Sequence, residues 1–230
     1  MTVGALLDLG ADRDVLINGL KSMNIKGFEI KISRIIRNNL EACDFDVILE
    51  DDEESKDYFK INRNYYDICK IIYKSSISEN AKKISEKVFK IKAESGSKVH
   101  NIPLEDFNFH ESGAVDSIVD IVGTAICLDN LNISKVIVSE LHDGHGYIKC
   151  RKGIIPVPVP AVACISRKYG LNIISTDIEG EMVTPTGASI VAGIKTDDKL
   201  PQGYRVKKIG LGNGKRIYDC EGVLRMCLIE

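Results

Sequence analysis

The sequence lacks tryptophan altogether and contains only four histidines, so any metal site has few imidazoles on which to draw. No apolar run is long enough to span a bilayer, and the chain does not open with a signal-peptide pattern. The seven cysteines are scattered, odd in number and never arranged as C-x-x-C. This pattern argues against a disulfide framework or a structural zinc knuckle and favours reduced thiols in the cytoplasm.

The charge distribution argues against nucleic-acid binding. The formal net charge of −2 and the sequence pI near 6.1 leave no basic footprint for nucleic acid. A hydrophobic content of 44% is that of an ordinary globular protein, and 230 residues are enough to bury a sizeable core. We therefore expect a protein with no nucleic-acid partner and no membrane segment.

The periodicity of apolar residues predicts an α+β fold with mixed sheets and several helices. Alternating residues over 28–49, interrupted by Asn38-Asn39, predict one hairpin, and a second is expected over 204–229 around the glycines at 210–214. The same reasoning predicts helices over 13–23, 65–74, 78–95 and 114–131, a strand over 135–141, and a loop over 142–147.

The chemically richest stretch is F-N-F-H-E-S-G-A-V-D-S-I-V-D, which runs from Phe107 to Asp120. Asp116 and Asp120 are four residues apart on the predicted helix and therefore share one face. His110 and Glu111 directly precede that helix, so their side chains can fold back over its first turn. These nitrogen and oxygen donors suit a divalent metal, but the same residues also occur in an ordinary polar loop and helix cap.

Two later motifs add candidate ligands. In H-D-G-H-G-Y, His142 and His145 lie among glycines, either as metal ligands in a flexible loop or as exposed imidazoles of a hairpin turn. In E-M-V-T-P-T-G-A, Pro185 suits the first position of a helix. Thr184, Thr186 and Gly187 would surround that helix start, which is either a simple cap or a seat for a phosphate or carboxylate.

Three motifs in this order resemble the LarC family: F-H-E-S-G-A-V-D-S-I-V-D-I-V-G at 109–123, G-I-I-P-V-P-V-P-A at 153–161 and E-M-V-T-P-T-G-A at 181–188. The start M-T-V-G-A-L-L-D-L-G-A-D is similar too. The likeness covers nearly the whole chain and corresponds to the N-terminal portion of the family. It implies a single N-terminal domain over 1–230, with a subdivision allowed near 98–105.

The resemblance implies nickel insertion into pyridinium-3,5-bisthiocarboxylic acid mononucleotide, which yields the nickel-pincer cofactor of lactate racemase. This would be part of a CTP-dependent nickel chelatase, a lyase. CTP, with magnesium or manganese, would bind through a separate C-terminal domain that we expect this chain to lack and that a partner chain could supply. A homo-oligomer is also expected.

Within this resemblance, His110, Glu111, Asp116 and Asp120 would handle the metal, with His142 and His145 as accessory ligands. Lys152 would join the 184–187 helix start in holding the mononucleotide's phosphate. The chain departs from the family at several expected histidines, which are Asn108, Lys152 and the stretch from Asn62 to Asp67 here. Two alternatives stay open: a non-catalytic nickel store or scaffold, and a diverged relative that binds another carboxylate or phosphate ligand without nickel.

Overall fold

The computed structural model describes residues 1–50, 61–109, 115–150, 153–218, 220 and 222–230. Helices and mixed sheets confirm the predicted α+β class. The chain divides into two compact units: a first unit of 1–85, 108–133 and 201–230, and a second unit of 86–107 and 134–200. The single domain expected over 1–230 stays a prediction. Among the described residues, no helix is both long and apolar enough to cross a bilayer.

The first unit is built on a four-stranded sheet. Strands β1 (Phe28–Arg37) and β2 (Leu40–Leu49) form the predicted antiparallel hairpin. Asn38 and Asn39 make its turn with positive φ angles of 47° and 64°, a conformation that asparagine tolerates better than most residues. The sheet continues through β9 (Val206–Asn213) to β10 (Val223–Ile229), in the order β1-β2-β9-β10.

The second predicted hairpin is confirmed, but Gly210 and Gly212 do not form its turn. Gly210 and Gly212 lie inside β9, which pairs antiparallel with β10. They are needed there because helix α1 (Thr2–Asp8) packs its backbone against the strand. A Cβ on Gly210 would lie 2.2 Å from the carbonyl oxygen of Ala5. Spacing alone cannot distinguish a glycine required by this close approach from a glycine required by a turn.

The remaining helices of the first unit follow the predicted periodicity. Asp12 caps α2 (Arg13–Lys21), since its side chain accepts hydrogen bonds from the backbone N–H groups of Asp14 and Val15. Helix α3 (Tyr65–Lys74) begins with a capping box and follows the short strand β3 (Arg63–Asn64). That strand pairs with β4 (Asn108–Phe109), and α5 (Val115–Asn130) is buried along most of its length.

Helix α4 (Glu79–His100) is longer than the sequence predicts. The prediction ended it at Ser95 because Gly96 looked like a terminating glycine, and this is wrong. Gly96 lies within the helix, and the ring of Phe107 occupies the space beside it. A Cβ at Gly96 would lie 2.2 Å from that ring. The glycine therefore serves side-chain packing between α4 and the segment after the 3₁₀ turn (Leu104–Asp106).

The strands of the second unit differ from the prediction. Ile137 makes only an isolated bridge with Asp197, so the strand expected over 135–141 is wrong. The predicted loop instead contains strand β5 (Leu141–His145), which pairs in parallel with β8 (Ile173–Glu179). Burial of Asp143 and Gly144 holds this polar stretch in the sheet. The neighbouring hairpin joins β6 (Tyr147–Cys150) to β7 (Gly153–Pro156).

Two helices with proline at their starts complete the second unit. Helix α7 (Pro185–Ile194) confirms the predicted position of Pro185, and helix α6 (Pro160–Tyr169) also begins with a proline. Apolar residues from α4, α6, α7 and the adjoining segments form one core cluster: Ile91, Val159, Val162, Ile165, Leu171, Val183, Ala188 and Ala192.

An ion pair near the isolated bridge gives a first testable expectation. The ammonium of Lys135 lies 2.9 Å from Asp197, and its hydrogen bond, assisted by the N–H groups of Lys199 and Asp198, lowers the pKa of Asp197 from 3.8 to about 2. A carboxyl whose pKa is depressed by folding stabilises the fold above its usual pKa and loses that contribution as the pH falls toward 2. Lys135→Met should raise the pKa of Asp197 toward 3.8 in an NMR titration of side-chain carboxyls. An unchanged pKa would show that the backbone bonds alone depress it.

Candidate functional site

The predicted metal ligands fall into three groups: two outside the described residues, two on α5 and two on β5. His110 and Glu111 lie outside the described residues, so their convergence on Asp116 stays a prediction. Asp116 and Asp120 lie four residues apart on α5 in the first unit, with Asp116 exposed and Asp120 half-buried. His142 and His145 belong to the second unit. Within the described ranges, no three histidine, cysteine or acidic side chains cluster closely enough to hold a metal ion.

His142 and His145 lie on strand β5 and both are exposed. The Nε2 atom of His142 is 3.3 Å from Oε1 of Glu140, a contact between two largely exposed side chains. The backbone of His145 continues the sheet, because its carbonyl accepts a hydrogen bond from Gly180 N–H at 3.0 Å. A strand rather than a flexible loop therefore carries both imidazoles, which gives them defined positions on the sheet.

The helix start predicted at Thr184 is present in the second unit. Thr184 is the N-cap of α7, and its Oγ1 accepts a hydrogen bond from Gly187 N–H at 3.1 Å. Pro185 occupies the first helical turn. The positive end of the helix dipole lies here, as an anion seat requires. Lys152, the predicted cation for this seat, lies outside the described residues.

A cation at this helix start comes from a residue that the sequence did not indicate. Lys92 on α4 donates a hydrogen bond from Nζ to Oγ1 of Thr186 at 2.8 Å. The two residues are 94 positions apart and no local pattern links them. Lys92 therefore adds positive charge beside a helix N-terminus that already favours anions.

Asp143 is a second residue that the sequence analysis missed. Its side chain is fully buried, and its Oδ1 atom accepts hydrogen bonds from the N–H groups of Gly144, Met182 and Val183, each at 2.9 Å. The other oxygen, Oδ2, is also buried but has no hydrogen-bond partner among the described residues. Leaving a buried acceptor unsatisfied costs about 1–3 kcal/mol, so this arrangement calls for an explanation.

Close backbone packing joins β5 to the segment that leads into α7. A Cβ on Gly144 would lie 2.0 Å from the carbonyl oxygen of Gly180 and 2.5 Å from that of Ile178. The hydroxyl of Thr176 also donates to the backbone carbonyl of Asp143 at 3.0 Å. The H-D-G-H-G and E-M-V-T-P-T-G motifs therefore pack directly against each other, and the buried Asp143 carboxylate lies beside the start of α7.

Comparison with known proteins shows the family to which the chain belongs. The sequence matches the model of the nickel insertion protein family over residues 1–230. The chain belongs to that family. No solved structure matches the chain.

Several curated relatives of this nickel insertion family member are named pyridinium-3,5-bisthiocarboxylic acid mononucleotide nickel insertion protein. The protein of Alkaliphilus metalliredigens is 48% identical over 241 residues, with 100% of this chain and 57% of that protein covered. The protein of Acetivibrio thermocellus is 41% identical, and the match covers 94% of this chain and 54% of that protein. The protein of Geobacillus kaustophilus is 37% identical, and the match covers 100% of this chain and 56% of that protein. The chain therefore spans a little over half the length of these relatives.

Proposed function

We propose that this chain takes part in nickel insertion into pyridinium-3,5-bisthiocarboxylic acid mononucleotide. The observation that carries the proposal is the family match over the whole chain, together with relatives whose names state this reaction. Nickel is cargo in this reaction, and the mononucleotide is the acceptor. The complete reaction would also require CTP with magnesium or manganese.

In the proposed reaction the protein offers nickel oxygen and nitrogen donors. His110, Glu111, Asp116 and Asp120 would hold the ion, with His142 and His145 as accessory ligands, and nickel accepts imidazole and carboxylate alike. None of these donors is a thiolate, so the protein would not compete through its own sulfur with the thiocarboxylates of the mononucleotide. Binding requires neutral imidazoles and ionised carboxylates, so the affinity for nickel should fall as the pH is lowered.

The second part of the proposal concerns the phosphate of the mononucleotide. The start of α7 at Thr184, Thr186 and Gly187 supports a phosphate seat because its dipole favours negative charge. Lys92, at 2.8 Å from Thr186, supplies a nearby positive charge, and Lys152 is proposed as a further one. The phosphate would orient the mononucleotide, while the reacting thiocarboxylates lie at its other end.

Equilibrium dialysis with nickel, with and without CTP, tests the proposal. We expect His110→Ala to weaken nickel binding at least tenfold, because removing one ligand from a metal site greatly lowers its affinity for the metal. His100→Ala, which changes an exposed histidine stacked on Phe107, is the matched control and should leave nickel binding unchanged.

A second measurement follows the product. Mass spectrometry of the mononucleotide after incubation with nickel, CTP and a magnesium salt should detect nickel-loaded product only in the presence of a full-length relative or its C-terminal part. Tight nickel binding that never leads to insertion under any of these conditions would favour a nickel store. Absence of nickel binding would favour a diverged relative.

A further inference from the structure

The buried carboxylate of Asp143 has a feature that its structural role does not explain. Three backbone N–H groups saturate Oδ1 and fix the orientation of the carboxylate. Oδ2 of the same group is buried and has no partner in the described part of the chain. Thr176, the hydroxyl that touches this residue, donates to the backbone carbonyl of Asp143 and not to its side chain.

Asp143 lies directly beside the start of α7. Its Oδ1 atom binds the N–H groups of Met182 and Val183, and Thr184, the next residue, caps the helix. Oδ2 is bonded to the same carboxyl carbon as Oδ1, so it lies close to Met182 and Val183. The buried acceptor is therefore part of a carboxylate whose other oxygen binds the segment directly before a helix start that favours an anion. The ammonium of Lys92 lies at Thr186 in the first turn of the same helix.

We infer that Asp143 Oδ2 accepts a hydrogen bond from a sugar hydroxyl of a ligand whose phosphate occupies the start of α7. The ligand class is a phosphorylated sugar, and its identity as the mononucleotide rests on the proposed function. A phosphate and a hydroxyl-bearing sugar present the two complementary features that this site requires, an anion and a hydrogen-bond donor. Because Oδ2 is shielded from solvent, the covering side chains must rotate to admit the hydroxyl.

A metal cation fits this acceptor less well than a hydroxyl. The positive end of α7 and the charge of Lys92 repel a cation. In addition, no three histidine, cysteine or acidic side chains of the described residues cluster closely enough to hold a metal ion, so a cation at Oδ2 would lack partner ligands. A neutral donor avoids both difficulties.

Isothermal titration of the whole chain with ribose 5-phosphate and methyl phosphate tests this inference. Both probes carry a phosphate monoester, but only ribose 5-phosphate carries sugar hydroxyls. We expect the wild-type chain to bind ribose 5-phosphate about tenfold more tightly, as one hydrogen bond to a charged acceptor allows. Asp143→Asn should reduce that preference to within about twofold, because the amide oxygen can keep the three N–H bonds while nitrogen replaces Oδ2.

The control variant is Lys92→Met, which should weaken binding of both probes by the same factor and leave their ratio unchanged. Equal affinities of the wild-type chain for the two probes, or no binding of either, would overturn the inference. So would an Asp143→Asn variant that is still folded at the temperature of the titration, as circular dichroism shows, and retains the tenfold preference. Neither probe involves nickel, so a failure of nickel insertion and a failure of this inference would be recorded separately.

Discussion

Asp143→Ala is expected to lower the free energy of unfolding by about 3–5 kcal/mol. The substitution removes the acceptor of three backbone N–H groups, those of Gly144, Met182 and Val183. Each donor left unsatisfied in a buried site costs about 1–3 kcal/mol, and relaxation of the segment recovers part of the sum. The loss should appear as a lower denaturation midpoint in urea, measured by circular dichroism.

The chain offers two comparisons for this variant. Asp198→Ala removes an exposed carboxylate and should change the free energy of unfolding by no more than about 0.5 kcal/mol. Asp143→Asn preserves an acceptor for the three N–H groups and should lie between the other two. If Asp143→Ala unfolded at the same urea concentration as Asp198→Ala, the buried carboxylate would not hold the segment before α7.

Gly210→Ala is expected to destabilise the first unit by about 3 kcal/mol or more, beyond the usual cost of a small overpacking change. The new Cβ would lie 2.2 Å from the carbonyl oxygen of Ala5 and 2.9 Å from the backbone nitrogen of Leu9. Backbone atoms cannot rotate away as a side chain can, so α1 would have to move off strand β9. That movement would expose Leu6, which is 2% exposed in the folded chain.

Gly203→Ala is the matched control for this prediction. No atom lies within 4 Å of a Cβ built there, and its φ angle lies outside the left-handed region. The control should therefore unfold within about 0.5 kcal/mol of the wild-type chain. Thermal melting of both variants in parallel is sufficient, and equal melting temperatures would contradict the close packing of α1 on β9.

The turns and helix starts that depend on residues close together in the sequence could be predicted. Asn38 and Asn39 form the expected hairpin turn because asparagine tolerates positive φ angles. Asp12 caps α2 because its side chain reaches the N–H groups of Asp14 and Val15. Pro160 and Pro185 lie at helix starts for the same local reason, since the first turn does not need their missing N–H.

The misassigned glycines show where local rules failed. Gly96 resembled a helix terminus and Gly210 resembled part of a turn, but each lies inside a regular element. What makes glycine necessary is the ring of Phe107 in one case and the backbone of Ala5 in the other. Ala5 is more than two hundred positions from Gly210, so no window along the sequence contains both partners.

Some features of the candidate site could likewise be predicted from the sequence, and others only from the tertiary structure. The sequence by itself determined the family motifs, the cap at Thr184 and the histidines of H-D-G-H-G. Only the tertiary structure placed Lys92 at Thr186, and it alone brought Asp143 to Met182 and Val183. A lysine or an aspartate obtains a role from the hydrogen bonds and burial around it. Those depend on which segments pack together, and not on the neighbours of a residue along the chain.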